Sequence, residues 1–213
     1  MNSLSLNNIT EKFLQEIPAF DNSNRSNSMS KKLYSIIDNK RYRHSSVLIP
    51  LISLNDSIHI ILTLRSNNLP THAGQISFPG GKVDPADINP IRTAYREADE
   101  EIGLNENLIS LQGYLDICKT GTNYMILPVV ALISSSYQPK LNKGEVDELI
   151  YLPLDFIADK KNLQHREREI NGVKRFFFVY QYKDHFIWGA TANMLKFVWK
   201  SLISENFMSQ LQS

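Results

Sequence analysis

One predicted helix, between Asn89 and Gly103, constrains the fold more than any other segment of the 213-residue chain. Asn89 can cap the helix N-terminus, Pro90 is tolerated at the first helical position, and Gly103 supplies the left-handed residue that ends the last turn. Between them apolar residues recur at helical spacing, namely Ile91, Ala94, Tyr95, Ala98 and Ile102. Such a stripe must be buried against another element, so the helix predicts a sheet as its partner.

Runs of β-branched residues on both sides of this helix predict that sheet. Residues 46–54 and 57–64 are two such runs separated by Asn55-Asp56, which predicts a β-hairpin. Further strands are predicted at 75–78, 109–115, 125–133, 149–152, 175–182 and 186–188. A second helix is predicted over 190–203 and a short one after Pro153. Strands mixed with a few helices predict a layered α/β or α+β domain rather than a regular βαβ series.

The N-terminal part of the chain differs from the rest. Apolar residues between positions 4 and 17 recur with roughly helical spacing, and Pro18 ends that predicted helix. The Ser/Asn-rich residues 21–30 predict a loop. We therefore expect residues 1–44 to form a helical extension and loop packed on one domain, which residues 45–213 build.

Composition narrows the functional classes. Hydrophobic residues make up 42% and charged residues 21%, which is typical of globular proteins. The net charge of +1 gives a nucleic-acid partner or an anionic membrane surface no support. The single Cys118 excludes an internal disulfide and fits a reducing compartment. With neither a signal-peptide pattern nor an apolar run near the roughly 20 residues that span a bilayer, we expect a cytoplasmic protein.

The predicted helix carries an unfavourable cluster of acids near its C-terminal end. Glu97, Glu100 and Glu101 are three or four residues apart, so their carboxylates emerge on one face. Like charges at this spacing cost on the order of 0.2–0.5 kcal/mol per pair. Arg96 can reach Glu100 and neutralises at most one acid. A solvated acidic face is the alternative, but the missing basic partners favour a site for a hard cation such as Mg²⁺ or Mn²⁺.

A glycine-rich loop, SFPGGKVDPAD at residues 77–87, precedes the helix. Pro79-Gly80-Gly81 predicts a tight turn, and a backbone without side chains lets its carbonyls or amides approach a metal ion or a phosphate closely. Such a turn is common on its own. Its position just ahead of the acidic helix favours a shared site.

The loop and helix together resemble the Nudix box. Residues 80–104, GGKVDPADINPIRTAYREADEEIGL, are similar to its pattern Gly-x5-Glu-x7-Arg-Glu-U-x-Glu-Glu-x-Gly-U, in which U is a bulky apolar residue. The second half matches at Arg96, Glu97, Glu100, Glu101, Gly103 and Leu104, with the small Ala98 at one U position. Counted from Gly81, the first acid is Asp87, and eight residues rather than seven separate it from Arg96.

The segment before the box resembles a second signature, that of the coenzyme A diphosphatase branch of the Nudix hydrolases. Residues 61–81 are similar to Leu-Leu-Thr-x-Arg-Ser-x3-Arg-x3-Gly-x3-Phe-Pro-Gly-Gly. The residues in register are Leu62, Thr63, Arg65, Ser66, Gly74, Phe78, Pro79, Gly80 and Gly81. Pro70 stands where the branch usually has Arg. Residues 144–154 and 187–195 look like the same branch.

These resemblances imply the Nudix fold, a mixed β-sheet sandwiched between helices, and a hydrolase that depends on Mg²⁺ or Mn²⁺. The implied metal ligands are Glu97, Glu100, Glu101 and the Gly81 carbonyl. The implied catalytic residues are Glu97, Glu100, Glu101, Arg96, which would orient the glutamates, and Glu145 as general base, with Glu148 or a box glutamate as alternatives. The implied substrate contacts are Arg65, Ser66, Gly80 and Gly81.

The implied reaction is hydrolysis of coenzyme A or its derivatives to 3′-phosphoadenosine 5′-phosphate and 4′-phosphopantetheine. An ADP-sugar, a dinucleotide or a dNTP is the alternative substrate that Pro70 leaves open. A third alternative is a nucleotide-binding module without catalysis, against which the complete glutamate set argues. The expected partner is a small molecule, with neither nucleic acid nor membrane, and a homodimer is left open.

Overall fold

The computed structural model of the chain describes residues 13–16, 42–170 and 172–202. Within these ranges the α-helices are α1 (Pro90–Ile102), α2 (Leu154–Ala158) and α3 (Gly189–Leu202). The strands are β1 (Arg43–Leu54), β2 (Ser57–Arg65), β3 (Ile76–Ser77), β4 (Gly80–Lys82), β5 (Ile109–Tyr114), β6 (Cys118–Lys119), β7 (Tyr124–Ile133), β8 (Val146–Pro153), β9 (Leu163–Ile170), β10 (Val173–Tyr182) and β11 (His185–Trp188). Short 3₁₀ helices at Glu106–Leu108 and Lys160–Asn162 lead into β5 and β9.

The strands form a mixed sheet and a smaller antiparallel sheet. In the larger sheet β3, β2, β1, β7 and β5 lie side by side, while β4 pairs with β1, β6 with β7 and β8 with β2. Strands β1 and β7 are parallel, and their neighbours are antiparallel. The smaller sheet has the order β11-β10-β9. The mixed sheet and few helices confirm the predicted fold class.

The larger sheet is buried on both faces, which explains the continuous apolar run of β1. On one face it packs against the α1 stripe, where Ala94, Ala98 and Ile102 have no exposed surface. The other face packs against α3 and the smaller sheet, through residues that include Tyr180, Leu195 and Val198. This places α1 and α3 on opposite sides of the sheet. No helix in the described ranges is long and apolar enough to cross a membrane.

The predicted elements are found with small changes at their ends, and three strands were missed, namely β4, β6 and β9. The predicted β1–β2 hairpin is confirmed and turns at Asn55 and Asp56, which both adopt positive φ. Helix α3 runs from Gly189 to Leu202, and Ile203 lies outside the described residues. Strands β4 and β6 have only three and two residues, whereas β9 has eight, of which the six residues QHRERE are polar or charged. It lies beside β10 at the edge of the smaller sheet.

The described N-terminal residues are not helical. Leu14 pairs with Tyr114 on β5 through two backbone hydrogen bonds of 3.1 and 2.9 Å. The predicted helix over 4–17 is therefore wrong at 13–16, because the edge of β5 offers backbone partners that a helical turn could not use. The rest of that helix and the 21–30 loop lie outside the described residues, and the boundary between 44 and 45 stays a prediction.

Phe13 fixes this short segment to the core. Its side chain is 5% exposed and belongs to the apolar cluster beneath α3. Gly113, with φ of 143°, makes room for it, since a Cβ there would lie 2.8 Å from the Phe13 Cβ and 2.6 Å from the Leu14 carbonyl oxygen. The N-terminal segment thus closes part of the core over β5.

We expect Phe13→Ala to lower the free energy of unfolding by about 3–5 kcal/mol, because it removes a buried ring and leaves a cavity. Leu14→Ala is the matched control, since its side chain is 44% exposed and its pairing uses only the backbone. Urea unfolding followed by circular dichroism measures both. Equal losses for the two variants would contradict the packing described.

Candidate active site

Helix α1 lies against β4 and holds the acids beside the glycine turn. At its start the Asn89 side chain accepts a hydrogen bond of 3.0 Å from the Arg92 amide. At its end Gly103 adopts φ of 68° and donates to the Asp99 carbonyl at 2.9 Å. The Tyr137 hydroxyl donates to the Ile102 carbonyl at 2.8 Å. Both predicted ends are confirmed, and the last turn that carries the glutamates is fixed from two sides.

Glu97 lies directly over Gly81. A Cβ added at Gly81 would overlap the Glu97 carboxylate, so this approach requires glycine. The Ser45 hydroxyl donates to the Gly81 carbonyl at 2.5 Å and so fixes its direction. Burial raises the pKa of Glu97, although Arg96 opposes the shift. The turn therefore places a carboxylate against Gly81, and carboxylate and carbonyl oxygens are both hard ligands.

Glu101 is the most buried acid of the site. Its side chain is 2% exposed, and its Oε2 atom accepts no hydrogen bond from the described residues. Arg65 Nη1 lies 3.7 Å from its Oε1 atom, and Arg65 Nε is likewise buried without a hydrogen-bond partner in the described residues. Burial raises the pKa of Glu101 to about 8 despite Arg65, with Glu97 and Glu145 adding to the shift.

Arg96 reaches Glu100, but it contacts three acids rather than the single one expected, and its strongest partner is Asp87. Two guanidinium nitrogens donate to the Asp87 oxygens, each at 3.1 Å. Arg96 also lies 3.0 Å from Glu97 and 3.0 Å from Glu100. The Thr93 hydroxyl donates to Asp87 at 2.7 Å. Burial alone would raise the pKa of Asp87, but these hydrogen bonds outweigh it and lower that pKa. The hydrogen bonding of Arg96 to the Asp87 carboxylate is also the main cause of the raised pKa of Arg96.

The role of Asp87 could not be read from the box spacing. A turn in which Ala86 and Asp87 donate to Asp84 at 2.8 and 2.9 Å absorbs the extra residue. The shorter Asp side chain thereby reaches the same guanidinium. The sequence signal for this role was the identity of the residue: Asp87 is an acid near the position where the box pattern has Glu.

The structure separates the remaining predicted residues into near and distant ones. Glu145 is close enough to the acids for its charge to contribute to the raised pKa of both Glu97 and Glu101. Glu148 instead pairs with His185 at 3.5 Å. Ser66 is buried, and its amide donates to the Glu145 carbonyl at 2.8 Å, a placement that favours positioning the loop over contact with substrate.

The oxygen ligands of the site suit a divalent cation but do not form a complete coordination shell. Glu100 is 54% exposed and turned to Arg96, whereas Glu101 is buried beside Arg65. In the described part of the chain no three His, Cys, Asp or Glu side chains converge as a ligand set. The orphaned Glu101 oxygen and the Glu97–Gly81 contact nevertheless fit Mg²⁺ or Mn²⁺. Mg²⁺ usually takes only one or two carboxylates and completes its shell with water and phosphate.

Glu101 gives the metal-free protein a pH dependence with a defined sign. Its pKa of about 8 in the folded state exceeds the unfolded value of 4.5. The folded state therefore binds a proton that the unfolded state lacks between these values, so this contribution to stability is full below about pH 4.5 and is lost as the pH rises to about 8. In EDTA, the Tm of Glu101→Gln should fall less over this range than that of the wild type. Parallel Tm curves would contradict the burial of this acid.

Comparison with known proteins supports the same family. The family model of the NUDIX domain matches residues 42–171. An uncharacterized Nudix hydrolase NudL of Photorhabdus laumondii is 33% identical over 153 residues, covering 72% of this chain and 81% of the relative. Nudix hydrolase 15, mitochondrial, of Arabidopsis thaliana is 34% identical over 165 residues, 74% of this chain and 58% of that longer protein. The word mitochondrial in that name applies to the Arabidopsis protein. A cytoplasmic location for this chain stays a prediction.

A solved structure supports the fold alone. The MutT/nudix family protein from Enterococcus faecalis superposes with a TM-score of 0.50 at 11% identity, over 82% of this chain and 68% of that one. The α1 helix, the glycine turn and the acids lie within the segment that the NUDIX domain matches. From this match and these relatives, the chain belongs to the Nudix hydrolase family.

Proposed function

We propose that this Nudix diphosphatase hydrolyses coenzyme A or one of its derivatives, releasing 3′-phosphoadenosine 5′-phosphate and 4′-phosphopantetheine. Family membership supports the coarser statement, a diphosphatase acting on a nucleoside diphosphate derivative. The observation that supports the coenzyme A class is the second signature, residues 61–81. Two of its residues lie against the box glutamates, with Arg65 beside Glu101 and Gly81 beneath Glu97.

The residues fit divalent-metal chemistry on a diphosphate. Glu97, Glu101 and the Gly81 carbonyl would hold the cation, with Glu100 able to join them by turning from Arg96. A bound Mg²⁺ or Mn²⁺, which Nudix hydrolases generally use, would neutralise the diphosphate and lower the pKa of a coordinated water. Arg96 keeps the glutamates apart in fixed directions through its four contacts.

Arg65 and Glu145 would act on the substrate and the water. The Arg65 guanidinium has an unused Nε donor beside the acids, and a planar fork of this kind binds phosphate bidentately. Glu145 accepts a hydrogen bond of 3.0 Å from Asn142 and is close enough to Glu97 and Glu101 to affect both carboxyls. This position suits the general base, which takes a proton from the attacking water.

A second candidate keeps this chemistry and changes the substrate to an ADP-sugar, a dinucleotide or a dNTP. It rests on Pro70, which is exposed in the loop after β2 at the position where the coenzyme A branch usually has Arg. The non-catalytic module considered from sequence is set aside, because the family and the retained acids both indicate an enzyme.

The deciding experiment incubates the purified protein with coenzyme A, ADP-ribose, NADH, diadenosine polyphosphates and dNTPs, with and without Mg²⁺ or Mn²⁺. Mass spectrometry identifies the products. Metal-dependent release of 3′-phosphoadenosine 5′-phosphate from coenzyme A is the expected result. Cleavage of another substrate in its place would overturn the coenzyme A proposal and support the second candidate.

Removing one box carboxylate should abolish most activity without unfolding the protein. We expect Glu97→Gln, Glu100→Gln and Glu101→Gln each to lower kcat roughly 10²-fold or more, because each loses a charged ligand or base. Asp99→Asn is the control, an exposed acid on the same helix. Near-normal turnover of the three variants would remove these glutamates from the mechanism.

Gly81→Ala tests the glycine turn separately from the acids. The new methyl group displaces the Glu97 carboxylate, and a shift of about 1 Å in a catalytic group can cost on the order of 10²-fold in rate. Thermal stability should change little, because the displaced atoms end a flexible side chain. Gly121→Ala is the control, since a Cβ there meets nothing within 4 Å. Equal activity of the two variants would contradict the assignment of Gly81 to the active site.

A further inference from the structure

The smaller sheet separates its charges between its two faces. Residues directly opposite on paired strands point to the same side. The pairs Arg166↔Phe177 and Arg168↔Arg175 therefore place three arginines on one face. Trp188 and Phe186 of β11 share that face through their pairing with β10. We call this the arginine face and define it by Arg166, Arg168, Arg175, Phe177, Phe186 and Trp188. The buried Val179 and the exposed Gln164 lie on the same side.

The acids of β9 point the other way. Glu167 and Glu169 lie on the opposite face, where Lys174 Nζ is 3.0 Å from Glu167 Oε1. On that side Lys196 Nζ of α3 lies 3.9 Å from the centroid of the Phe178 ring. The arginine face is thus turned away from α3. Among the described residues of the sheet, it carries no acid.

The charge on the arginine face is not compensated within the described structure. Arg168 and Arg175 are exposed and form no ion pair with a described residue. Arg166 donates to Gln164 at 3.1 Å and lies 5.1 Å from the Phe186 ring centroid. Like charges directly opposite one another destabilise a strand pair. A hairpin under selection for stability alone would favour an opposite-charge pair here, so the arrangement points to an anionic ligand.

The spacing and the rings favour one kind of anion. Arg166 and Arg168 are about 7 Å apart along the strand, so they suit a chain of phosphates better than a single one. Trp188 and Phe186 are 38% and 36% exposed on the same face, and half-exposed rings can stack with bases. A bilayer is less suitable, because the most exposed ring, Phe176, lies on the opposite face from these arginines.

We propose that the arginine face binds single-stranded nucleic acid. Arg166, Arg168 and Arg175 contact successive phosphates, and Phe186 and Trp188 contact the bases. This surface belongs to other strands than the acidic site and does not depend on the proposed hydrolase substrate. The net charge of +1 does not reveal this basic surface, because acids on the opposite face of the same sheet offset its charge.

The test is binding of fluorescein-labelled dT20 and U20 to the full chain in EDTA, measured by anisotropy at several salt concentrations. Each phosphate contact in a single strand contributes about −0.7 to the slope of log K against log salt. Arg168→Gln/Arg175→Gln should therefore weaken binding about tenfold or more near 0.1 M salt and reduce the slope by about 1.4. The circular dichroism spectrum and the Tm should be unchanged, which shows that the variant is folded.

Lys160→Gln/Lys161→Gln is the matched control, because it removes the same charge from two exposed lysines outside the strands of the smaller sheet. It should retain wild-type binding. The proposal is overturned if neither oligonucleotide binds, or if the two double variants weaken binding equally. Arginine-dependent binding to phosphatidylserine vesicles without binding to either oligonucleotide would also overturn it and assign the face to a membrane surface.

Discussion

The acidic site depends on the guanidinium of Arg96. Three carboxylates contact it, two from α1 and one from the preceding loop, and each would otherwise repel the others. Arginine suits this position because it stays charged and presents several donors in one plane. Asp87 holds that plane by two hydrogen bonds, and Thr93 holds Asp87. The direction of Glu97 and Glu100 is therefore set by a loop acid outside the helix.

A second constraint lies between Arg65 and Glu101. Their closest charged atoms are 3.7 Å apart, and each side chain keeps one buried polar atom without a described partner. Such atoms are rare in folded proteins, because an unmade hydrogen bond in the interior costs about 1–3 kcal/mol. An unused acceptor and an unused donor on two neighbouring side chains suit a ligand that carries both positive and negative charge. A divalent cation with a diphosphate is a ligand of this kind.

Local sequence signals predicted the helix, while tertiary packing decided which of its acids are buried. Caps and periodicity act within α1, so its ends were predictable to the residue. Glu100 and Glu101 look alike in the box, yet one is exposed and the other is buried. A signal existed, since Glu101 is seven residues after Ala94 and three after Ala98 and so lies at the edge of the apolar stripe. The pairing of Leu14 with β5 had no such signal, because it uses backbone atoms alone.

Strand β9 was missed because its residues alternate in the sign of their charge rather than between apolar and polar. Arg166, Glu167, Arg168 and Glu169 alternate with the period of a strand, but no face of the run is apolar. Burial therefore specifies the register of β9 only weakly, and side-chain contacts with β10 must specify it instead. These contacts include the His165–Phe178 ring contact, with centroids 4.5 Å apart, and the Lys174–Glu167 ion pair. Both contacts lie on the α3 side. The exposed Arg168 and Arg175 on the other side form no ion pair with a described residue, which leaves them to be explained by what the face binds.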